Sequence, residues 1–186
     1  MDKIVITKIE AACRQLNTAI TLWFQDGDPV SIHSLVCSSH QIVHDLNKMK
    51  GGRDLIYDSL LIKDEYRKEA NRVFKGPYNF MKHADKDPDD KLEFDPVNTD
   101  FFMMFTALGL ELLGEPYDLT RSAFTVYYNL THPEYLTPKG KEQFLGAIAL
   151  EDRESVLNQP KAFFWEMYKK YAPNQQVDPT VKTPVK

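Results

Sequence analysis

The chain has few cysteines, no long apolar run and no alternating polar–apolar segment, and each absence narrows its class. No apolar run approaches the roughly 20 residues that a membrane-spanning helix needs. The N-terminus lacks the apolar core and the small-residue cleavage site of a signal peptide. We therefore expect a cytoplasmic protein without membrane contact. The two cysteines, Cys13 and Cys37, are expected to be free buried thiols, or a disulfide if their helices are antiparallel neighbours.

Positive charge is also scarce relative to negative charge. The net charge is −4 and the pI is about 5.7, which argues against a strongly basic nucleic-acid surface but leaves room for a local basic patch. The sequence contains no internal repeat, no phosphate-binding glycine loop, no nucleophile elbow and no zinc-protease helix. Its 186 residues, 42% of them apolar, are enough for one domain with a core.

The pattern that is present is helical. Apolar residues recur at three- and four-residue steps, and this spacing predicts amphipathic helices. Glycine is expected to end the first helix, and Asp28 and Pro29 are expected to begin the second, so that the short gap makes an antiparallel hairpin. In chain order, we expect helices over 3–25, 29–49, 55–61, 64–74, 78–84, 97–113, 119–130, 139–150 and 154–171.

These segments predict an all-α fold, a single irregular helical bundle with an N-terminal antiparallel hairpin. The helix over 97–113 is apolar on nearly every side, which is typical of a central helix. Gly76-Pro77 is expected to kink or break the chain. Residues 1–172 should form the bundle domain, and residues 173–186 a disordered tail.

The densest group of functional side chains runs from Asn79 to Asp87, at a predicted helix end. Asn79 and His83 are four residues apart and share a helical face, with Lys82 on an adjoining face. An imidazole can act as a general acid or base, a lysine can hold a phosphate, and an asparagine can orient a substrate. We therefore predict Asn79, Lys82 and His83 as catalytic residues for phosphodiester chemistry, with Asp85 as a binding residue.

The same stretch has a structural alternative. Lys82 and His83 would favour the negative end of a helix, and Asp85 and Asp87 would form the turns that follow it. This alternative explains the cations but leaves Asn79 unexplained, so both interpretations stay open.

A second polar group lies on the second predicted helix, where His33, Cys37, His40 and His44 step by four, three and four along one ridge. His33 and His44 would lie roughly 16 Å apart, too far for one zinc ion to use all four side chains. The metal hypothesis is therefore a divalent ion such as zinc on His40 and His44, completed by a residue from another helix: His83, Asp85 or Asp87. The alternative is a partly exposed flank whose histidines hydrogen-bond to neighbours.

His33 is predicted as a binding residue because it follows the polar turn at Asp28 and Pro29. If that helix end packs near His83, the two imidazoles face one cleft. The alternative is a core histidine that donates to a backbone carbonyl.

The order of parts resembles the HEPN-type helical domains: two long helices in a tight hairpin, then a polar helix end, Asn79-Phe80-Met81-Lys82-His83. Those domains are small and often dimeric. Many are ribonucleases or toxins, and others are inert binding partners. The resemblance implies an RNA or nucleotide ligand and a homodimer. The signature arginine, four to six residues before the histidine, is absent here.

Two strings, Asp28-Pro29-Val30-Ser31-Ile32-His33 and the stretch from Asn79 to Asp87, also resemble those of an uncharacterised bacterial protein family. That resemblance would cover about residues 5–130 and implies no established activity. Three functions therefore remain open. They are a HEPN-like protein that binds or cleaves RNA or a nucleotide, a divalent-metal-binding bundle, and a non-enzymatic protein-interaction module.

Overall fold

The computed structural model describes residues 3–52, 65, 67–85, 88–146 and 150–172. Within these ranges the regular structure is entirely helical, which confirms the all-α prediction. No helix among them is long and apolar enough to cross a membrane. The elements are α1 (Lys8–Phe24), α2 (Pro29–Met49), α3 (Arg67–Lys82), α4 (Val97–Leu112), α5 (Leu119–Thr131), a 3₁₀ turn (Pro133–Tyr135), α6 (Pro138–Leu145), α7 (Leu150–Leu157) and α8 (Lys161–Tyr171).

Side-chain caps set the starts of the first two helices. The Thr7 hydroxyl accepts a hydrogen bond from the Glu10 amide at 3.2 Å, and the Glu10 carboxylate accepts one from the Thr7 amide at 2.7 Å. This capping box begins α1 at Lys8, so the expected start at residue 3 is wrong. Asp28 caps α2 as predicted: its carboxylate accepts from the Ser31 amide at 2.8 Å, and Pro29 is the first helical residue.

Left-handed residues end α1, α2 and α4. Gly51 (φ 77°) and Gly114 (φ 94°) follow α2 and α4, whereas Asp26 (φ 52°) takes this position after α1. The expectation that glycine stops α1 is therefore wrong in its residue. Gly27 instead donates its amide back to the Leu22 carbonyl at 2.8 Å, which completes the reversal into α2.

Two predicted boundaries in the later helices are wrong. α3 runs continuously through Pro77, although an internal proline loses one backbone hydrogen bond and crowds the preceding turn. Residues on both sides of Pro160 were expected in one helix over 154–171, but α7 ends at Leu157 and α8 begins at Lys161, because the residue before a proline disfavours helical backbone. The expected helix over 55–61 and the tail over 173–186 lie outside the described residues.

The chain divides into two compact units, Met1–Tyr128 and Asn129–Lys186. In the first unit α2 is central and packs against α1, α3 and α4. Ser39 donates its hydroxyl to the Ala12 carbonyl at 2.8 Å and so fastens α2 to α1 in the predicted hairpin. Most of α4 is buried, from Phe102 to Ala107 and at Leu110, as its apolar sequence predicts.

An ion pair with a buried guanidinium joins α5 to α1 in this unit. Asp118 accepts hydrogen bonds from the Arg121 amide at 2.9 Å, the Arg121 guanidinium at 3.1 Å and the Asn17 amide group at 2.7 Å. Arg121, whose side chain is 3% exposed, also donates to the Pro116 carbonyl at 2.6 Å. Trp23 packs edge-on against Phe124 two turns further along, so α5 follows α1 in a parallel direction.

The second unit contains the end of α5 and the three short helices. The Thr137 hydroxyl accepts from the Gly140 amide at 3.1 Å and begins α6. In α8, Phe164 and Trp165 are buried, and the ammonium group of Lys169 lies 5.0 Å from the Trp165 ring centroid.

The Arg121–Asp118 pair should contribute more to the free energy of unfolding than an exposed ion pair of the same spacing. Arg121→Met is expected to lower the free energy of unfolding by about 1–3 kcal/mol, because it removes the hydrogen bonds that the buried guanidinium donates to Asp118 and to the Pro116 carbonyl. Arg72→Met is the matched control: Arg72 and Glu69 are also three residues apart, but their side chains are 76% and 58% exposed, so the loss should stay below about 1 kcal/mol. Urea denaturation of both variants measures the difference, and equal losses would contradict the importance of the Arg121–Asp118 pair.

Candidate functional site

The histidine ridge of α2 lies buried against α4. The Nδ1 atom of His33 is 2.9 Å from the Thr99 hydroxyl, and the Nδ1 atom of His40 is 3.3 Å from the Thr106 hydroxyl. Both pairs span 66 residues of sequence, so α2 and α4 run parallel and meet every two turns. The expectation of a partly exposed flank is therefore wrong for His33, Cys37 and His40, which are buried, whereas His44 is half-buried. The expected hydrogen bonds to neighbours are confirmed for His33 and His40.

The hydrogen-bond pattern defines the protonation of His40. Thr106 donates its only hydroxyl hydrogen to the Phe102 carbonyl at 2.9 Å, so it must accept from Nδ1–H of His40. Burial lowers the pKa of His40 to about 3, and the neighbouring His44 and Lys75 contribute to the same shift. His40 is therefore a neutral ring at pH 7, with its lone pair on Nε2.

The metal hypothesis gains no ligand set from this arrangement. Within the residues that the structure describes, no three histidine, cysteine or acidic side chains are grouped so that they would hold an ion. His40 and His44 are close, with ring centroids 6.4 Å apart, but Asp87 lies outside the described residues. Cys37 is buried and forms no disulfide, and burial raises its pKa to about 12, so it stays protonated at neutral pH.

His33 is a core residue, which was the alternative to its predicted role in binding. Its side chain is 1% exposed, its Nε2 atom lies 3.4 Å from the Cys37 sulfur, and the Phe94 ring lies 5.0 Å away between centroids. One of its hydrogen-bond partners is the Thr99 hydroxyl, 2.9 Å from Nδ1. Burial on this scale leaves His33 little surface for a ligand.

The predicted catalytic residues lie at the C-terminal end of α3. Lys82 is the last helical residue, and the His83 amide donates to the Asn79 carbonyl at 3.1 Å. The side chains of Lys82, His83 and Asp85 are exposed. The Lys82 ammonium group lies 5.6 Å from the Tyr78 ring centroid. This is the position that the capping alternative predicts for the two cations.

A longer feature includes Asn79 and Lys82. Counting along α3, Lys68, Arg72, Lys75, Asn79 and Lys82 step by four, three, four and three residues. Such steps keep side chains within an arc of roughly 80° on a helix. We call these five residues the basic face of α3. The neighbouring side of α3 packs on α2, where the Tyr78 hydroxyl lies 3.1 Å from that of Ser38.

Three depressions border this face. The largest, of about 820 Å³, lies between the second half of α3 and the segment over 90–98, and we call it the loop-side cavity. His83 and Asn79 line it, and its other described charged residues are four carboxylates and two cations. The carboxylates belong to Asp85, Asp90, Glu93 and Asp95, and the cations to Arg72 and Lys91.

The second depression, the basic groove, has a volume of about 610 Å³. Its described lining consists of three cations (Lys68, Arg72, Lys75), Asn79 and two carboxylates (Glu65, Glu69). The third, the inner pocket, has a volume of about 220 Å³ and lies among α2, α3 and α4. Its described lining residues are Cys37, His40, Gln41, Lys75, Tyr78, Asn79, Lys82 and Phe102.

Asn79 lines all three depressions, but Lys82 and His83 do not line the same one. Lys82 borders the inner pocket, whereas His83 borders the loop-side cavity. The reason is the 100° turn between consecutive helical residues. Asp85 joins His83 in the loop-side cavity, and His33 is not among the described residues that line it.

Sequence reasoning missed the basic face, although its signal was present. Lysine and arginine recur at helical spacing from residue 68 to residue 82. The expected break at Gly76-Pro77 divided this series between two segments and hid its continuity. A continuous α3 would have revealed it.

The neutral state of His40 makes stability depend on pH. The pKa of His40 is about 3 in the folded chain and near 6.5 without its surroundings, so the unfolded chain binds the extra proton as the pH falls below 6.5. We expect this one residue to cost about 2 kcal/mol of stability between pH 7 and pH 5. His40→Asn, which keeps a donor for Thr106, should lack that part of the loss.

Chemical denaturation at the two pH values measures the effect. His83→Asn is the control, because it removes an exposed histidine and should retain the wild-type difference. An identical pH dependence in wild type and His40→Asn would show that His40 is not held neutral by the fold.

Comparison with known proteins assigns no family to this chain. No protein-family model, no curated protein and no solved structure matches this chain. The resemblance to HEPN-type domains therefore stays a prediction.

Proposed function

We propose that this protein binds single-stranded RNA along the basic face of α3 without cleaving it. The observation that carries this proposal is the concentration of positive charge on one helix. α3 contains five cations and one carboxylate, whereas the whole chain has a net charge of −4. Lys68, Arg72 and Lys82 are exposed, and Lys75 is half-buried.

The dimensions of the basic face suit a short stretch of strand. From Lys68 to Lys82 the face is roughly 21 Å long. Single-stranded nucleic acids are bound by cationic grooves that follow the phosphates and by polar or aromatic groups beside them. The basic groove supplies the first, and Asn79 with Tyr78 at the inner pocket supplies the second.

Binding without cleavage follows from the separation of the predicted catalytic groups. General acid–base catalysis needs its imidazole within hydrogen-bond reach of the group that is protonated. His83 and Lys82 border different depressions, so a phosphate held by Lys82 in the inner pocket does not lie in the depression that His83 lines. The absent HEPN arginine supports the same conclusion.

Other anionic ligands fit the basic face less well. An amphipathic helix that binds membranes needs an unoccupied apolar face, but α3 packs on α2 through Tyr78 and Met81. RNA is proposed over DNA on the strength of the HEPN resemblance. A cytoplasmic location and a homodimer are part of the same proposal.

Binding should show the salt dependence of phosphate contacts. With an RNA of about ten nucleotides, the logarithm of the association constant should fall with the logarithm of salt concentration at a slope of about −2 to −3, because each contacted phosphate contributes about −0.7. The double variant Arg72→Gln/Lys75→Gln should reduce that slope by about 1.4. Fluorescence anisotropy at several salt concentrations measures both, and a gel of the same samples reports whether the RNA stays intact.

Lys139→Gln/Lys141→Gln is the control, since it removes the same charge from exposed positions of α6. It should leave the slope unchanged. Absence of binding at low salt, or equal weakening by both double variants, would refute the proposal. Cleavage that disappears in His83→Ala would restore the catalytic prediction, and tighter binding of DNA of the same sequence would correct the choice of nucleic acid.

A further inference from the structure

The inner pocket combines hydrogen-bond donors with a closed floor. Lys75, Lys82, Asn79 and Tyr78 stand around it, and each carries a donor group. Cys37, His40 and Phe102 line its base and are 4%, 2% and 1% exposed. No carboxylate belongs to the part of its lining that the structure describes, in contrast to the loop-side cavity. This composition selects for an anion.

The positive charge reaches the base of the pocket. The Lys75 ammonium group contributes to lowering the pKa of His40 and opposes the rise in the pKa of Cys37, so it lies near both buried side chains. Lys82 stands at the rim, over the Tyr78 ring. His40 is neutral and adds no charge, so the two lysines are the charged groups that the described lining offers.

The size and shape of the inner pocket restrict the anion. Its volume of about 220 Å³ corresponds to roughly seven water molecules and is below the roughly 300 Å³ of a drug-sized site. A phosphate within a strand is esterified on two sides, so it enters a floored pocket less readily than a terminal phosphate, which has one ester bond. A terminal phosphomonoester also carries up to about −2 charge near neutral pH, which matches two ammonium groups.

We propose that the inner pocket binds the terminal phosphomonoester of an RNA strand, with Lys75 and Lys82 as its charged ligands and Asn79 and Tyr78 as hydrogen-bond donors. The inference deepens the proposed function and rests on it for the remainder of the strand. The bound strand then begins at the inner pocket and continues along the basic face towards Lys68. End recognition thereby gives direction to a face that would otherwise bind any phosphate chain.

The test compares one RNA sequence in three forms: with a 5′-phosphate, with a 3′-phosphate and with hydroxyl groups at both ends. We expect one phosphorylated form to bind wild-type protein about tenfold more tightly than the hydroxyl form, because a charge-assisted contact to a terminal phosphate is added. Lys82→Gln, an exposed substitution at the helix end, should reduce that ratio to about one. Lys75→Gln, which removes the other charged ligand of the inner pocket, is the second variant and should reduce the same ratio.

Lys68→Gln is the matched control, because Lys68 lies on the basic face but does not line the inner pocket. This variant should weaken the binding of all three RNA forms by the same factor, so that the ratio between phosphorylated and hydroxyl RNA is preserved. If wild-type protein binds all three forms equally, the end-recognition inference is wrong and RNA binding stands.

If wild-type protein binds no RNA, the proposed function is wrong, and calorimetry with a nucleoside monophosphate then examines the inner pocket by itself. Binding that is lost in Lys82→Gln but kept in Lys68→Gln supports the pocket. The absence of such binding overturns it.

Discussion

Two histidine–threonine hydrogen bonds hold α2 against α4 in a single register, and the arrangement of the first unit depends on them. Apolar side chains alone would let α4 slide along α2, because its surface is apolar on nearly every side. A shift by one turn would separate the buried Nδ1 atoms of His33 and His40 from their threonine partners, at a cost of about 1–3 kcal/mol each. The fixed register places Phe102 beside His40, and together they close the base of the inner pocket.

The distribution of charge around α3 is as ordered as the packing beneath it. One side of the basic face adjoins the carboxylates of the loop-side cavity, and the other adjoins the inner pocket, whose described lining contains no carboxylate. An acidic border narrows a positive potential into a stripe along the helix, so that an approaching polyanion is steered along the axis rather than across it. The overall negative charge of the chain is therefore compatible with a local anion-binding surface.

The sequence predicted the elements whose causes are local. The cap at Asp28, the apolar stripe of the hairpin and the burial of α4 all follow from spacing and capping chemistry. The continuity of α3 through Pro77 could not be predicted in this way, because packing of Tyr78 and Met81 on α2 offsets the local cost of a proline inside a helix. The burial of His33 and His40 could not be predicted either, because their threonine partners lie 66 residues away in the sequence.

The parallel pairing of α2 with α4 has a consequence for the order of folding. The α1–α2 hairpin closes across a short turn at Asp26 and Gly27, and its contacts are local. Contacts between α2 and α4 must close a loop of 66 residues that includes α3, and closure of a longer loop costs more chain entropy. We infer that the hairpin assembles first and that α4 docks in a later, slower step. Until then the histidine ridge of α2 is solvated and free to take up protons, so acidic conditions should retard docking as well as weaken the finished fold.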